Sequence, residues 1–226
     1  MASVPDSLVE GFILMTSLVV LTAALEYGSM EEVKKLRSRQ DGKSLYNSAI
    51  LMNLTNNFLI AAPTYSYTSD YVCSPGPHTF GRQCVSVGGI IVVQGLLFYA
   101  AHMAFHKVPG LFSLIHGYHH KFNTVVLPST ANAVTTLEFV LAYATPIVTA
   151  VAVTGADLAS TAMALVLIAV ANLLVHTPFL EQRYKLPWFL VSTDDHLSHH
   201  RHIQQDYASP LISIDRILLR LFGIKS

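Results

Sequence analysis

Long runs of apolar residues dominate the chain and predict helices that cross a membrane. A helix that spans a bilayer needs roughly 20 mostly apolar residues. Three runs meet this requirement well: Val87–His106, Thr136–Thr154 and Leu158–Val175. A fourth run, Val9–Tyr27, meets it apart from Glu10, and a fifth, Ala49–Tyr65, is interrupted by asparagines. We therefore predict an all-α integral membrane bundle of four to five transmembrane helices.

The positions of the basic residues support the weak fifth span. With five spans, thirteen of the 14 Lys and Arg residues fall on the face opposite the N-terminus, and only Arg82 falls on the N-terminal face. Cytoplasmic loops of membrane proteins carry such an excess of basic residues. Without a crossing at 49–65, the basic loop 28–48 would lie on the opposite face from the others. The charge distribution therefore favours five spans and places the basic face in the cytosol.

The composition agrees with a membrane protein and excludes other classes. Apolar residues make up 52% of the 226 residues and charged residues only 12%, whereas a soluble domain carries about 25% charged residues. The formal net charge is zero, so no general attraction to nucleic acid is encoded. Cys73 and Cys84 fall together on the N-terminal face, which allows either one disulfide or two free thiols.

The histidines are concentrated in three motifs on one side of the membrane. The chain has 11 histidines, nearly as many as its 14 Lys and Arg residues. The motifs H-x-x-x-H, H-x-x-H-H and H-x-x-H-H, with one histidine between the last two, comprise His102, His106, His116, His119, His120, His176, His196, His199 and His200. Residues three or four apart share one face of a helix. Each motif is therefore expected to project its imidazoles together, and the five spans place all of them at the membrane–cytosol boundary.

The number of imidazoles indicates two metal ions rather than one. A structural zinc takes four ligands and a catalytic zinc three plus water, so eight or nine nitrogens suit two ions with open positions. Imidazole binds zinc, copper, iron and nickel, so the ligands alone do not identify the metal. A metal transporter would need ionisable residues at mid-membrane, and the motifs are too dense for a haem protein. His78 and His202 lie outside the motifs.

The order and spacing of these motifs resemble the fatty acid hydroxylase superfamily, which includes sterol desaturases and fatty acid 2-hydroxylases. The resemblance covers about residues 98–223 and includes the strings FHKVP, DHLSHH and YASP, and DRIL near the C-terminus. The chain departs from the family pattern after His176 and in the spacing of its tail. We divide the chain into an N-terminal transmembrane region, residues 1–90, and a hydroxylase-like catalytic domain, residues 91–226.

The resemblance implies a membrane di-iron enzyme that uses O2 to oxidise an unactivated C–H bond of a lipid. It implies that the nine histidines ligate two Fe ions, with no catalytic residue beyond these ligands. It also implies an external electron donor, such as cytochrome b5 or ferredoxin, and a location in the endoplasmic reticulum. Carboxylates often orient ligating imidazoles, and Glu138 and Asp195 are the candidates for this role.

Hydroxylation of a sterol or fatty acyl lipid is the leading expectation for the reaction. Desaturation starts with the same hydrogen abstraction, so the sequence leaves it open. Hydroxylation of a carotenoid is also open, and so is a catalytically inactive relative that binds metal.

Overall fold

The computed structural model describes residues 4–224, which are helical over most of their length. The first helices are α1 (Asp6–Gly28), α2 (Met30–Arg37), α3 (Gly42–Thr55), α4 (Ala62–Tyr71) and α5 (Phe80–Lys107). They are followed by α6 (Thr136–Glu138), α7 (Thr145–Thr154), α8 (Leu158–Val175), α9 (Thr193–His202) and α10 (Ile214–Phe222). Two π-helical turns, Asn56–Ala61 and Phe139–Ala144, join α3 to α4 and α6 to α7 as continuous helices. The described residues form no strand, which confirms the predicted all-α class.

Four helices within residues 4–224 are long and apolar enough to cross a membrane. They are α1, α5, the continuous helix Thr136–Thr154 and α8. Large apolar side chains such as Val20 and Val153 are exposed on them, at 64% and 68%, as expected where lipid covers the surface. The inner faces of α5, α7 and α8 meet in a core that includes Ile90, Val151 and Ala164. The prediction of an integral membrane helical bundle is confirmed.

The continuous helix 42–71 runs antiparallel to α1 over its whole length. At one end, Ser7 Oγ lies 2.8 Å from Ser66 Oγ and donates a hydrogen bond of 2.8 Å to Asp70. At the other end, the Tyr46 hydroxyl donates to the buried carboxylate of Glu26. A helix that accompanies a spanning helix from end to end covers the same depth of the membrane. This arrangement agrees with the fifth crossing inferred from the basic residues.

The asparagines that weaken the apolar pattern of this helix face the protein and not the lipid. Asn53 Nδ2 donates to the Ser129 carbonyl at 3.0 Å, and Asn56 Nδ2 donates to the Val134 carbonyl at 2.9 Å. Asn53 and Asn56 are both buried. A polar side chain inside a membrane protein is tolerated when it is paired in the bundle interior. The asparagines therefore join this helix to the segment that precedes α6.

The loops at the N-terminal end of α1 contact one another, as the five-span topology requires. Ser74 N donates to the Ala156 carbonyl at 2.8 Å, which connects the loop after α4 to the turn between α7 and α8. Cys73 and Cys84 are both free thiols here, so of the two possibilities the structure has no disulfide. Lys225, one of the basic residues in the charge count, lies outside the described residues.

Candidate metal centre

All nine histidines of the motifs meet at the other end of the bundle, in two adjacent groups. The first group is His102, His106, His116, His120 and His199. The second group is His119, His176, His196 and His200. Within each group, one ring nitrogen from every histidine lies within 4.8 Å of the others. We call these the five-histidine group and the four-histidine group.

Five separate elements deliver these side chains. His102 and His106 are one turn apart at the end of α5, and a π-helical turn, Phe112–His116, ends with the third histidine. A 3-10 turn, His119–Phe122, follows directly. His176 is the first residue after α8, and α9 carries the last motif. The two remaining histidines lie apart, since His202 is exposed and His78 lies near Asp157 at the opposite end of the bundle.

The H-x-x-H-H motifs do not each project to a single place, which corrects the expectation from helical spacing. His119 joins the four-histidine group, whereas its neighbour His120 joins the five-histidine group. His199 and His200 divide in the same way. Neighbouring side chains on a helix or 3-10 turn point about 100° to 120° apart, so each pair reaches into both groups. The adjacent histidines therefore connect the groups, and the rings of His120 and His200 are 5.0 Å apart between centroids.

Backbone carbonyls fix the ring protons of three histidines. His102 Nδ1 donates to the Tyr207 carbonyl at 2.7 Å, and His199 Nδ1 donates to the Gln205 carbonyl at 2.6 Å. His176 Nδ1 donates to the Asn172 carbonyl at 2.7 Å. A carbonyl oxygen can only accept, so each Nδ1 carries the proton.

Burial keeps the imidazoles outside the membrane helices neutral. It lowers the pKa of His176 and of His199 to about 4. It also lowers the pKa of His119, His196 and His200 well below the usual value for histidine. At pH 7 these rings are uncharged, and Nε2 of His176 and His199 holds a free lone pair. Neutral imidazole is the form that binds metal ions.

The free nitrogens of the five-histidine group point at one another. His116 Nε2 lies 2.9 Å from His102 Nε2 and 2.9 Å from His120 Nε2. The Nδ1 protons of His102 and His116 are already donated elsewhere, so two lone pairs face each other at this distance. The Nε2 atoms of His106 and His199 are buried and make no hydrogen bond with any described residue. A cation between these nitrogens would satisfy all of them.

The four-histidine group shows the same convergence. His196 Nε2 lies 2.9 Å from His176 Nε2 and 3.2 Å from His200 Nε2. The ring of His119 closes the group, with its centroid 4.7 Å from that of His200. Four buried imidazoles at this spacing are a complete donor set for one metal ion.

The two candidate carboxylates have different surroundings. Glu138 Oε1 accepts from His116 Nδ1 at 2.6 Å, so Glu138 contacts an imidazole as expected. Asp195 does not take the expected position against a ring. Its Oδ2 accepts from Ser192 N at 2.9 Å and from Ser192 Oγ at 2.8 Å, and its Oδ1 pairs with Arg216. Asp195 is the third residue of α9 and forms a capping box with Ser192, the N-cap. Its carboxylate is therefore directed back to the start of the helix.

The loop after α9 supplies contacts that the sequence analysis missed. This loop carries the Gln205 and Tyr207 carbonyls that hold two histidines. Asp215 fixes the loop by accepting from Tyr207 N at 3.1 Å and from Ala208 N at 2.6 Å. A backbone carbonyl is present in every residue, so the sequence does not show which ones accept from the histidines. A sequence signal near this loop was the Asp215-Arg216 string in the tail.

A mostly apolar cavity lies between the helices beside the histidines. It is lined by side chains from α1, helix 42–71, α5, α7 and α8, among them Leu14, Phe98 and Ile168. The Phe98 ring packs on the His102 ring, with 5.2 Å between centroids. Asn172 also lines the cavity, and its carbonyl holds His176. The cavity therefore adjoins both histidine groups.

Fold and site together define an integral membrane protein with a buried histidine cluster that can hold metal. A family model, fatty acid hydroxylase, matches residues 87–219, which is more than half of the chain. The protein belongs to this family, and its membership supports an oxidoreductase of the lipid hydroxylase or desaturase type. Comparison with curated proteins and with solved structures gave no match.

Proposed function

We propose that this protein is a membrane di-iron oxygenase that uses O2 to hydroxylate a lipid of the sterol or fatty acyl type. The observation that carries the proposal is the division of nine imidazoles, eight of them buried and His106 half-buried, into groups of five and four. The lone pairs that face each other in the five-histidine group fit a cation held between them. Family membership supports the lipid substrate. On this proposal the two groups hold one iron each.

The surrounding residues would prepare the site for these ions. Iron, when bound, supplies the redox chemistry that O2 activation needs and that zinc lacks. The carbonyls of Asn172, Gln205 and Tyr207 hold three rings in the tautomer that leaves Nε2 free. Glu138 does the same for His116 as a carboxylate, which makes the ring a stronger ligand. Burial of the imidazoles excludes bulk water from the place of reaction.

The lipid would reach the metals through the cavity beside Phe98. Residues from both proposed regions, 1–90 and 91–226, line this cavity, with Leu14 and Asn57 from the first. The N-terminal region would thus shape the substrate pocket while the histidines of the second region carry out the chemistry.

The electrons would come from a separate protein, such as cytochrome b5 or ferredoxin. We place the histidine end of the bundle in the cytosol, with the protein in the endoplasmic reticulum, because nearly all basic residues lie at this end in the five-span topology. A soluble or peripheral donor could then approach the metal centre from the cytosol.

Lipid mass spectrometry under ¹⁸O2 tests this function. Cells that express the protein are compared with cells that express the double variant His199→Ala/His200→Ala, which removes one imidazole from each group. His202→Ala is the matched control, because His202 lies on the same helix but is exposed. We expect a lipid that gains one labelled oxygen with the wild type and the control but not with the double variant.

Other results would change the assignment. A lipid that loses two hydrogens and gains no label would identify a desaturase. Equal lipid profiles, with iron-loaded protein and a supplied electron donor, would contradict an oxygenase. Elemental analysis of the purified protein tests the metal separately, and anything other than about two iron atoms per chain would contradict the di-iron centre.

A further inference from the structure

Gln94 is a buried amide without a partner in the middle of a membrane-spanning helix. It lies on α5, is only 2% exposed and lines the cavity beside the metal centre. Among the described residues, 4–224, none is joined to the Gln94 side chain by a hydrogen bond. A buried amide without a hydrogen bond is costly, and uncompensated polar groups inside a membrane protein commonly mark a binding function.

The other buried polar side chains of the cavity are already paired. Asn172 Nδ2 donates to Asn132 Oδ1 at 3.2 Å, and Asn132 Nδ2 donates to Asn57 Oδ1 at 3.3 Å. Thr22 and Thr68 donate to carbonyls of the preceding turn of their own helices, at 2.8 and 2.7 Å. These residues are held in place by the protein itself. The Gln94 amide differs because both its donor and its acceptor are free for a molecule in the cavity.

Gln94 also has a fixed position relative to the metal centre. Gln94, Phe98 and His102 are spaced by four residues and share one face of α5. Phe98 lines the cavity together with Gln94, and its ring packs on His102. Eight residues of α-helix correspond to about 12 Å along the axis. A molecule lying along this face would therefore meet the amide about two helical turns from the histidines.

We propose that Gln94 hydrogen bonds a hydroxyl or carbonyl oxygen of the lipid substrate. The substrate is then an oxygen-bearing lipid rather than a plain hydrocarbon, and its oxygen lies in the membrane interior while another part of the molecule faces the metals. This inference rests on the proposed function, since it assigns the cavity to the substrate. It disfavours a hydrocarbon carotenoid, which offers the amide no partner.

Ligand binding to the purified full-length protein tests the inference without turnover. The probes are two matched pairs that differ by one hydroxyl, 1-hexadecanol with hexadecane and cholesterol with cholestane. Each pair is added as an equimolar mixture in detergent, and the bound ratio is read by native mass spectrometry for the wild type and for Gln94→Leu. Comparing the two proteins cancels the partition of each probe into the micelles. We expect Gln94→Leu to lower the alcohol-to-hydrocarbon ratio by about tenfold for at least one pair.

Gln83→Leu is the matched control, because it removes the same amide from the same helix outside the cavity. Gln83 donates to Asp157 at 3.1 Å, at the opposite end of α5 from the histidines. A ratio that stays within about twofold of wild type in Gln94→Leu for both pairs would overturn the proposal. An equal fall in Gln83→Leu, or a wild type that retains no probe, would also overturn it. Iron content and oxidised product are measured separately, so a failed di-iron assignment would be distinguished from a failed role for Gln94.

Discussion

Glu138 and His116 form a buried carboxylate–imidazole pair, with 2.6 Å between Oε1 and Nδ1 and both side chains 2% exposed. Thr135 connects the elements that carry them. Its hydroxyl accepts from Glu138 N at 3.1 Å, as the N-cap of α6, and donates to the Ile115 carbonyl at 3.0 Å. The pair turns His116 Nε2 toward His102 and His120. The orientation of one imidazole in the five-histidine group is therefore set by the start of another membrane helix.

The first prediction concerns this carboxylate. Glu138→Gln keeps an oxygen that can accept from His116 but removes the negative charge, so it is expected to weaken iron binding by about 10- to 100-fold. Iron titration of the metal-stripped protein measures the effect. Glu181→Gln is the control, because Glu181 forms a surface ion pair with Arg201 at 2.7 Å. Unchanged iron affinity in Glu138→Gln would show that the pair only fixes the fold.

The second prediction separates helix capping from ligand orientation at Asp195. Asp195 and Ser192 bond each other reciprocally at the start of α9, so Asp195→Ala and Ser192→Ala should each lower the free energy of unfolding by about 1 kcal/mol. Chemical denaturation in detergent measures this loss, and iron titration should show similar affinities for the two variants. A much weaker affinity in Asp195→Ala alone would restore Asp195 to the role of orienting an imidazole.

Much of the candidate metal centre could be predicted because its histidines follow simple rules of spacing and topology. The three motifs and His176 include all nine histidines that the structure brings together. Counting the spans between them predicted that they lie at one end of the bundle. The partition between the groups could not be predicted, because it depends on the 3-10 turn at His119–Phe122 and on where α9 lies relative to α5. The backbone acceptors at Gln205 and Tyr207 were missed since every residue has a carbonyl.

The fold likewise has parts that could be predicted from the sequence and parts that could not. The helices with unbroken apolar runs followed directly from hydropathy, and four of them have the required length. Helix 42–71 has a lower hydropathy because it contains asparagines. In the structure these asparagines donate hydrogen bonds to the segment before α6. Such long-range partners cannot be identified from one sequence. The distribution of the basic residues indicated the crossing at 49–65 better than hydropathy did, since it reflects topology rather than local burial.

The third prediction concerns metal removal. Without a cation, lone pairs of His102 and His116 face each other at 2.9 Å, so chelation of the metal should lower the Tm by about 5 °C or more. Adding Fe(II) without oxygen should restore it. The control is His202→Ala, which should respond like the wild type because His202 is exposed. The double variant His199→Ala/His200→Ala should respond less. A wild-type Tm that does not change on chelation would contradict a metal ion bound between these imidazoles.

The fourth prediction uses the two thiols to test the topology. Cys84 is exposed near the start of α5, whereas Cys73 is partly buried with Sγ 3.4 Å from Thr161 Oγ1. Both are free, so without reductant the unfolded protein should react with two equivalents of maleimide. A membrane-impermeant maleimide should label Cys84 only from the face opposite the histidines.

Sealed vesicles of known orientation measure this labelling. The matched variant is Lys185→Cys in a Cys84→Ser background, because Lys185 is exposed in the loop before α9. Since α5 crosses the membrane between Cys84 and the histidines, the new thiol should be labelled from the cytosolic face and Cys84 from the other. Labelling of both thiols from one face would contradict the predicted number of membrane crossings between them. It would also contradict the inference that the basic residues and the histidine groups lie on the cytosolic side.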